Sequence, residues 1–162
     1  MQTLEYRTID KSGWNDGPWK NEPDKKQFPD EATGLPCLIV RNGAGNLCGY
    51  VGVSEGHPLF QSDYDEAYGT PYDVDVHGGL TYANFCVEVG DIEHRICHLV
   101  EPGENDRVWW LGFDTSHAGD LAPAYQHHFD ATYRLRDYET YKDLAYVEAQ
   151  CAHLAAQLAA MH

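Results

Sequence analysis

The chain has 162 residues and carries 26 Asp and Glu against 11 Lys and Arg, a formal net charge of −15, on a length that suits one domain. At 43% hydrophobic, 12% aromatic and 23% charged, it can bury an ordinary core and is too balanced for a disordered acidic tail. So negative a chain repels duplex DNA, RNA and anionic lipid at long range, which sets aside a general nucleic-acid or membrane-surface role and favours cations or basic partners.

In chain order, residues 3–9 alternate enough for a first strand, and Lys11 to Pro36 is rich in Gly, Pro, Asp and Lys. That stretch reads as loop or one short helix, so residues 1–36 form an irregular N-terminal segment. Leu38-Ile39-Val40 and Gly49-Tyr50-Val51-Gly52-Val53 flank Asn42-Gly43-Ala44-Gly45-Asn46 and predict a hairpin. From Ser54 to Tyr72 the chain turns polar and acidic, and loops longer than about 15 residues are usually functional or mobile. Further strands are expected over Gly79–Cys86, Arg95–Val100 and Val108–Asp114, with the turn Glu101–Asn105 joining the last two. His127-His128 falls in an exposed loop.

From Asp137 to Ala160 the residues Leu144, Val147, Cys151, Leu154 and Leu158 recur at spacings of three and four, which predicts an amphipathic helix capped by Asp137. The stripe either packs on a sheet or forms a homo-oligomer seam of two and a half heptads. The expected fold class is α+β: an antiparallel sheet with a long C-terminal amphipathic helix packed on one face, in a single domain spanning 1–162.

The charge is unevenly spread. Between Arg41 and Arg95 there is no Lys or Arg, while Glu55, Asp63, Asp65, Glu66, Asp73, Asp75, Glu88, Asp91 and Glu93 all fall inside. Such a run is either a solvated acidic face or a site for a cation or basic partner. The five cysteines, Cys37, Cys48, Cys86, Cys97 and Cys151, show no compact metal spacing and sit among apolar neighbours. They read as free core thiols in a reducing cytosol. Met1–Arg7 holds no apolar run able to act as a signal peptide, and no stretch approaches about 18 apolar residues, so a soluble cytoplasmic chain is expected.

Two segments concentrate chemistry. In Asp73-Val74-Asp75-Val76-His77-Gly78-Gly79-Leu80-Thr81-Tyr82, Asp75 and His77 share a face of an extended chain, and Gly78 and Gly79 permit a turn or close ligand approach. Equally, Asp75 orders a turn and His77 hydrogen-bonds it. In Val108–Asp120, an apolar strand delivers Asp114, and His117 and Asp120 follow at steps of three. Asp75, His77, Asp114, His117 and Asp120 suit a divalent metal with oxygen and nitrogen ligands. Asp114, His77 and His117 also suit general acid–base catalysis. Gly78, Gly79, Tyr82 and Trp110 are the expected ligand wall, with Arg41, Arg95 or Arg107 as sources of positive charge; the bland reading of Trp109 and Trp110 is core packing. His57 lies near enough in sequence to the acidic loop to join the site, while His94 and His98 lack a suitable spacing on a strand. No H-E-x-x-H, G-x-S-x-G or Walker signature is present.

The strings His77-Gly78-Gly79-Leu80-Thr81-Tyr82 and Trp110-Leu111-Gly112-Phe113-Asp114-Thr115-Ser116-His117-Ala118-Gly119-Asp120, followed by Tyr141–Val147, resemble a family of small uncharacterised bacteriophage and prophage proteins over roughly residues 36 to 158. The resemblance implies an accessory protein of the host-cell cytoplasm, acting against host defence. On that reading the pocket sequesters a small nucleotide-like signal. The alternative is a metal-dependent hydrolase cleaving a nucleotide or phosphoester at the Asp75/His77/Asp114/His117/Asp120 cluster. A third reading is an acidic DNA mimic.

Overall fold

A computed structural model describes residues 1–125 and 138–162. Six strands, β1 (Leu4–Tyr6), β2 (Lys25–Pro29), β3 (Pro36–Arg41), β4 (Leu47–Val53), β5 (Tyr82–Phe85) and β6 (Trp109–Asp114), form one sheet in the order β1-β2-β3-β4-β6-β5. Every pairing is antiparallel. One helix, α1 (Leu144–Ala159), lies across β4 and touches β3. The expected α+β fold is therefore observed.

Side chains alternate across a strand, and that rule divides the core into two. Cys37, Ile39, Val51, Leu111 and Phe113 face α1, where they meet Val147, Cys151, Leu154 and Leu158. Leu38, Cys48, Tyr50 and Trp110 face the other way and form a second cluster. The apolar stripe of α1 thus covers a sheet, and all four of those helix residues are fully buried. Gly49 permits the close approach: a Cβ there would lie 2.4 Å from Phe113 Cζ and 2.8 Å from the Cys151 sulfur.

The hairpin between β3 and β4 forms as expected. Asn42 Oδ1 accepts the amides of Ala44 and Asn46, and Gly45 takes φ +87°. In the N-terminal region β1 falls within the strand expected over residues 3–9 and a 3-10 helix forms at Pro18–Asn21, where loop or one short helix was expected; β2 is the departure. Lys-Lys-Gln-Phe-Pro lacks an apolar face, yet Lys25 and Gln27 are both buried. Lys25 Nζ donates to the carbonyls of Ile92 and Cys97, and Gln27 Oε1 accepts the Leu99 amide. These polar heads clamp residues 92–99 onto the face away from α1. For that reason Arg95–Val100 forms no strand, despite its β-rich composition.

The cysteine reading needs correction: Cys86 and Cys97 are joined in a disulfide within the β5–β6 connection, and only Cys37, Cys48 and Cys151 are free and buried. The inference from five free thiols to a reducing compartment therefore loses its basis. Among the described residues no helix is long and apolar enough to cross a membrane.

The helix starts later than expected. Its N-cap is Asp143, whose carboxylate accepts the Tyr146 amide; Asp137 and His127-His128 lie outside the described residues. Asp143→Ala should cost about 1 kcal/mol, read as a lowered denaturant midpoint at unchanged m-value.

Burial, then the nearby Arg95 charge, lowers the Lys25 pKa to about 8 from 10.5. Between those two values the folded chain has released this proton and the unfolded chain still holds it, so the Lys25 contribution to stability rises with pH across that window. Unfolding titrations of the native chain and of Lys25→Met should show their difference moving in the native chain's favour, by at most about 1.4 kcal/mol per pH unit.

Candidate functional site

Three chain segments meet at the N-terminal half of α1. The first, residues 73–77, runs extended along the helix, held by side chains that α1 presents at seven-residue spacing. Gln157 Oε1 accepts the Asp75 amide at 2.8 Å and Gln150 Oε1 accepts the His77 amide at 2.9 Å. Val74 and Val76 point inward and are buried. At Gly78 and Gly79, both with positive φ, the chain turns away. The second segment leaves β6 at Asp114 and closes a turn in which the Asp120 amide donates to the His117 carbonyl. The third is residues 140–142, paired with residues 119–121 through Thr140 N to Gly119 O (2.8 Å) and Leu121 N to Thr140 O (2.9 Å).

The centre of this junction is Asp120, whose side chain is 2% exposed. Its carboxylate lies 2.8 and 3.0 Å from His77 Nε2, 3.0 Å from the His117 amide and 3.1 Å from Lys142 Nζ. Burial pushes the Asp120 carboxyl up, but the hydrogen bonds from His77, the His117 amide and Lys142 outweigh it and hold the group below the usual carboxylate range. The other His77 nitrogen, Nδ1, meets the Tyr146 hydroxyl at 2.7 Å. Burial and the neighbouring Asp120 charge raise the Tyr146 pKa, so this hydroxyl stays protonated at neutral pH.

His117 stands differently. Its Nδ1 is buried and has no hydrogen-bond partner among the described residues, although Asp114 Oδ1 lies 3.3 Å away and Asp120 Oδ2 3.7 Å away. Its ring packs on Gly78, where a Cβ would come within 2.2 Å of it. The bare Cα of Gly78 thus makes room for this imidazole. His77, His117 and Asp120 each offer a ligand atom within 4.8 Å of the others. Bonds of about 2.0–2.1 Å to one ion require those atoms to draw closer together than they stand here.

Of the expected ligands, His77, His117 and Asp120 converge. Asp114 sits beside them and is occupied otherwise, its carboxylate accepting the Ser116 amide and the Thr81 hydroxyl. Asp75 is separate: its carboxylate is exposed and lies 3.2 Å from His153 Nε2, two helical turns from Tyr146. The shared parity of Asp75 and His77 holds, but the turn at Gly78 bends only His77 into the cluster.

The expected aromatic wall and arginines are elsewhere. Trp110 is fully buried in the second core cluster, and Tyr82 packs edge-on to Tyr50 on that same face. Trp109 packs on the α1 side and donates its indole N–H to Ser62 O. Arg107 precedes β6, at the opposite end from Asp114, and lies over Phe60 and Phe85. Arg95 lines a cavity beyond the second cluster, and Arg41 is buried among Glu22, Asp24 and Tyr141. His57 bonds the Leu158 carbonyl near the far end of α1. All nine acids of the Lys- and Arg-free interval are exposed, so the solvated reading of that interval stands and its acids do not build the cluster.

Sequence reasoning missed Lys142 and Tyr146 as site residues. Both lie in the Tyr141–Val147 string, but only tertiary contacts bring them to Asp120 and His77. A cleft of about 380 Å³ opens beside the cluster, lined by Asn46, Ser116, His117, Gly119 and Asp120 among others. The Asn46 side-chain oxygen has no donor among the described residues. Fold and site together define an α+β protein with a two-histidine, one-carboxylate cluster at the mouth of a polar cleft. Comparison with protein-family models, with curated proteins and with solved structures finds no match to this chain.

Proposed function

We propose that the chain is a metal-dependent hydrolase of small phosphoesters, with His77, His117 and Asp120 holding one divalent ion of the zinc type. The observation that supports this most is the convergence of those three ligand atoms, with a buried His117 nitrogen that no hydrogen bond uses. Two imidazoles and a carboxylate with an open side are a set used at catalytic zinc sites. The ion supplies positive charge for a phosphate and lowers the pKa of a bound water towards 7.

The chain's own groups have defined tasks in this reading. Tyr146 orients His77 through Nδ1: with Nε2 as the ligand atom, Nδ1–H donates to the Tyr146 hydroxyl oxygen 2.7 Å away. Asp114, held by the Ser116 amide and the Thr81 hydroxyl, places a negative charge 3.3 Å from His117 Nδ1 that favours a cation there. Lys142 keeps the Asp120 carboxylate ionised and adds a cation near the phosphate. The cleft admits substrate at the His117 and Asp120 side. The resemblance to phage accessory proteins makes nucleotide-derived phosphoesters the first substrates to try, and such a protein would work in the host cytoplasm. The expected arginines lie away from the cleft, which weakens metal-free capture of a nucleotide.

The test incubates the purified chain with bis(p-nitrophenyl) phosphate and a panel of cyclic nucleotides, with and without chelator. Hydrolysis that stops with chelator and returns with zinc or manganese supports the reading. Intact nucleotide released from denatured protein, with no product, supports sequestration instead and overturns it.

A further inference from the structure

The face of the sheet away from α1 carries a second cavity, of about 140 Å³, between Trp110 of β6 and the segment closed by the Cys86–Cys97 disulfide. Arg95 and His98 stand in its wall. Two buried donors here have no acceptor among the described residues: Arg95 Nε and the Trp110 indole N–H. Trp110 itself is 0% exposed. A buried donor without a partner is costly, and neither an indole N–H nor a guanidinium can accept. Whatever satisfies them must bring acceptor atoms.

The charges nearby narrow the choice. Lys25, fully buried, spends its hydrogen bonds on the carbonyls of Ile92 and Cys97, the latter two being cavity residues. It has no carboxylate partner among the described residues, and Arg95 is close enough to repel it. An anion in the cavity beside Arg95 would offset the Arg95 charge that Lys25 feels. Glu88 and Asp106 also line the cavity, but both are exposed, so they sit at the rim and oppose higher negative charge. The volume is too small for a nucleotide, and a carboxylate offers two planar acceptor oxygens to an Arg and a Trp donor. We propose that this cavity is a binding site for a small monocarboxylate, held by Arg95 Nε and the Trp110 indole N–H. The site is separate from the His77–His117–Asp120 cluster and independent of its chemistry.

The experiment follows the side-chain N–H signals of Trp110 and Arg95 in ¹H–¹⁵N spectra of the whole oxidised chain, with Trp110→Phe identifying the indole peak. Sodium acetate or formate, against sodium chloride at equal ionic strength, should shift both signals saturably with a midpoint of about 1–10 mM. Arg95→Gln should weaken that response at least tenfold. A response that chloride reproduces means an unselective anion effect, and one that Arg95→Gln leaves unchanged or that fails to saturate means a water-filled cavity only; each overturns the proposal. Should Arg95→Gln fail to fold, the native chain decides: acetate should raise its Tm above that in matched chloride, and equal Tm values would overturn it.

Discussion

Arg41→Met should destabilise the fold by about 3 kcal/mol, at the lower end of the roughly 3–5 kcal/mol seen when one partner of a buried ion pair is removed. The Arg41 side chain is 0% exposed and donates to Asp24 at 2.9 Å, to Gly45 O at 2.9 Å and to the Tyr141 hydroxyl at 2.8 Å, with Glu22 3.4 Å away. Asp24 would keep Lys11 and the amides of Thr8 and Ile9, and Glu22 would keep the Tyr141 hydroxyl and the Leu144 amide. Those remaining partners place the cost at the low end. Against a total stability of about 5–15 kcal/mol, the loss is large and would show as a marked drop in denaturant midpoint. Arg41→Lys should recover only part of it, since an ammonium cannot reproduce the guanidinium fork.

The same network reaches the site. Glu22 joins the Arg41 cluster to the first turn of α1, and Tyr141 lies one residue before Lys142. Loosening Arg41 therefore loosens the segment that delivers Lys142 to Asp120.

Gly78→Ala should damage the cluster without altering any of its ligands. A residue with Cβ at φ +68° is strained by about 1–3 kcal/mol, and the new carbon would lie 2.2 Å from the His117 ring, so the imidazole must swing away. The expected result is a metal affinity lowered by about 10–100-fold, as when a group that orients a ligand is lost. Gly79→Ala is the matched control: its φ is +78°, and the nearest atom to a Cβ is the Tyr68 hydroxyl at 3.1 Å. Stability should fall in both variants, and further in Gly78→Ala because of its contact with the His117 ring, while zinc titration by calorimetry should show the affinity loss in Gly78→Ala alone.

Elements with a local signature were legible in the sequence. The Asn- and Gly-rich turn at residues 42–46 announces its hairpin, and the three-and-four spacing of Leu144, Val147, Cys151, Leu154 and Leu158 announces a helix that needs an apolar surface. The convergence of His77 with His117 and Asp120 was partly legible, because glycines and strand ends flank both segments. β2 was not, since Lys25 and Gln27 are buried by hydrogen bonding to a distant loop and leave no apolar alternation. The same loop took residues 95–100 out of the sheet, and the Cys86–Cys97 pair within it has no spacing that distinguishes a bridge from two buried thiols. Trp110 and Arg95 were expected together in a ligand wall; they do share a cavity, but on the opposite face of the sheet. Lys142 and Tyr146 reach Asp120 and His77 only through tertiary docking; from residues 55–93 His77 enters the cluster, while the acids of that interval are all exposed, as a solvated face requires.

Metal stoichiometry tests the central claim most directly. Native mass spectrometry of the chain after zinc loading and desalting should show one divalent ion per chain, and none for Asp120→Ala or for His77→Ala/His117→Ala, with far-ultraviolet circular dichroism confirming that the variants stay folded. A native chain that retains no ion, or folded variants that retain it as well as the native chain does, would contradict a metal centre at His77, His117 and Asp120.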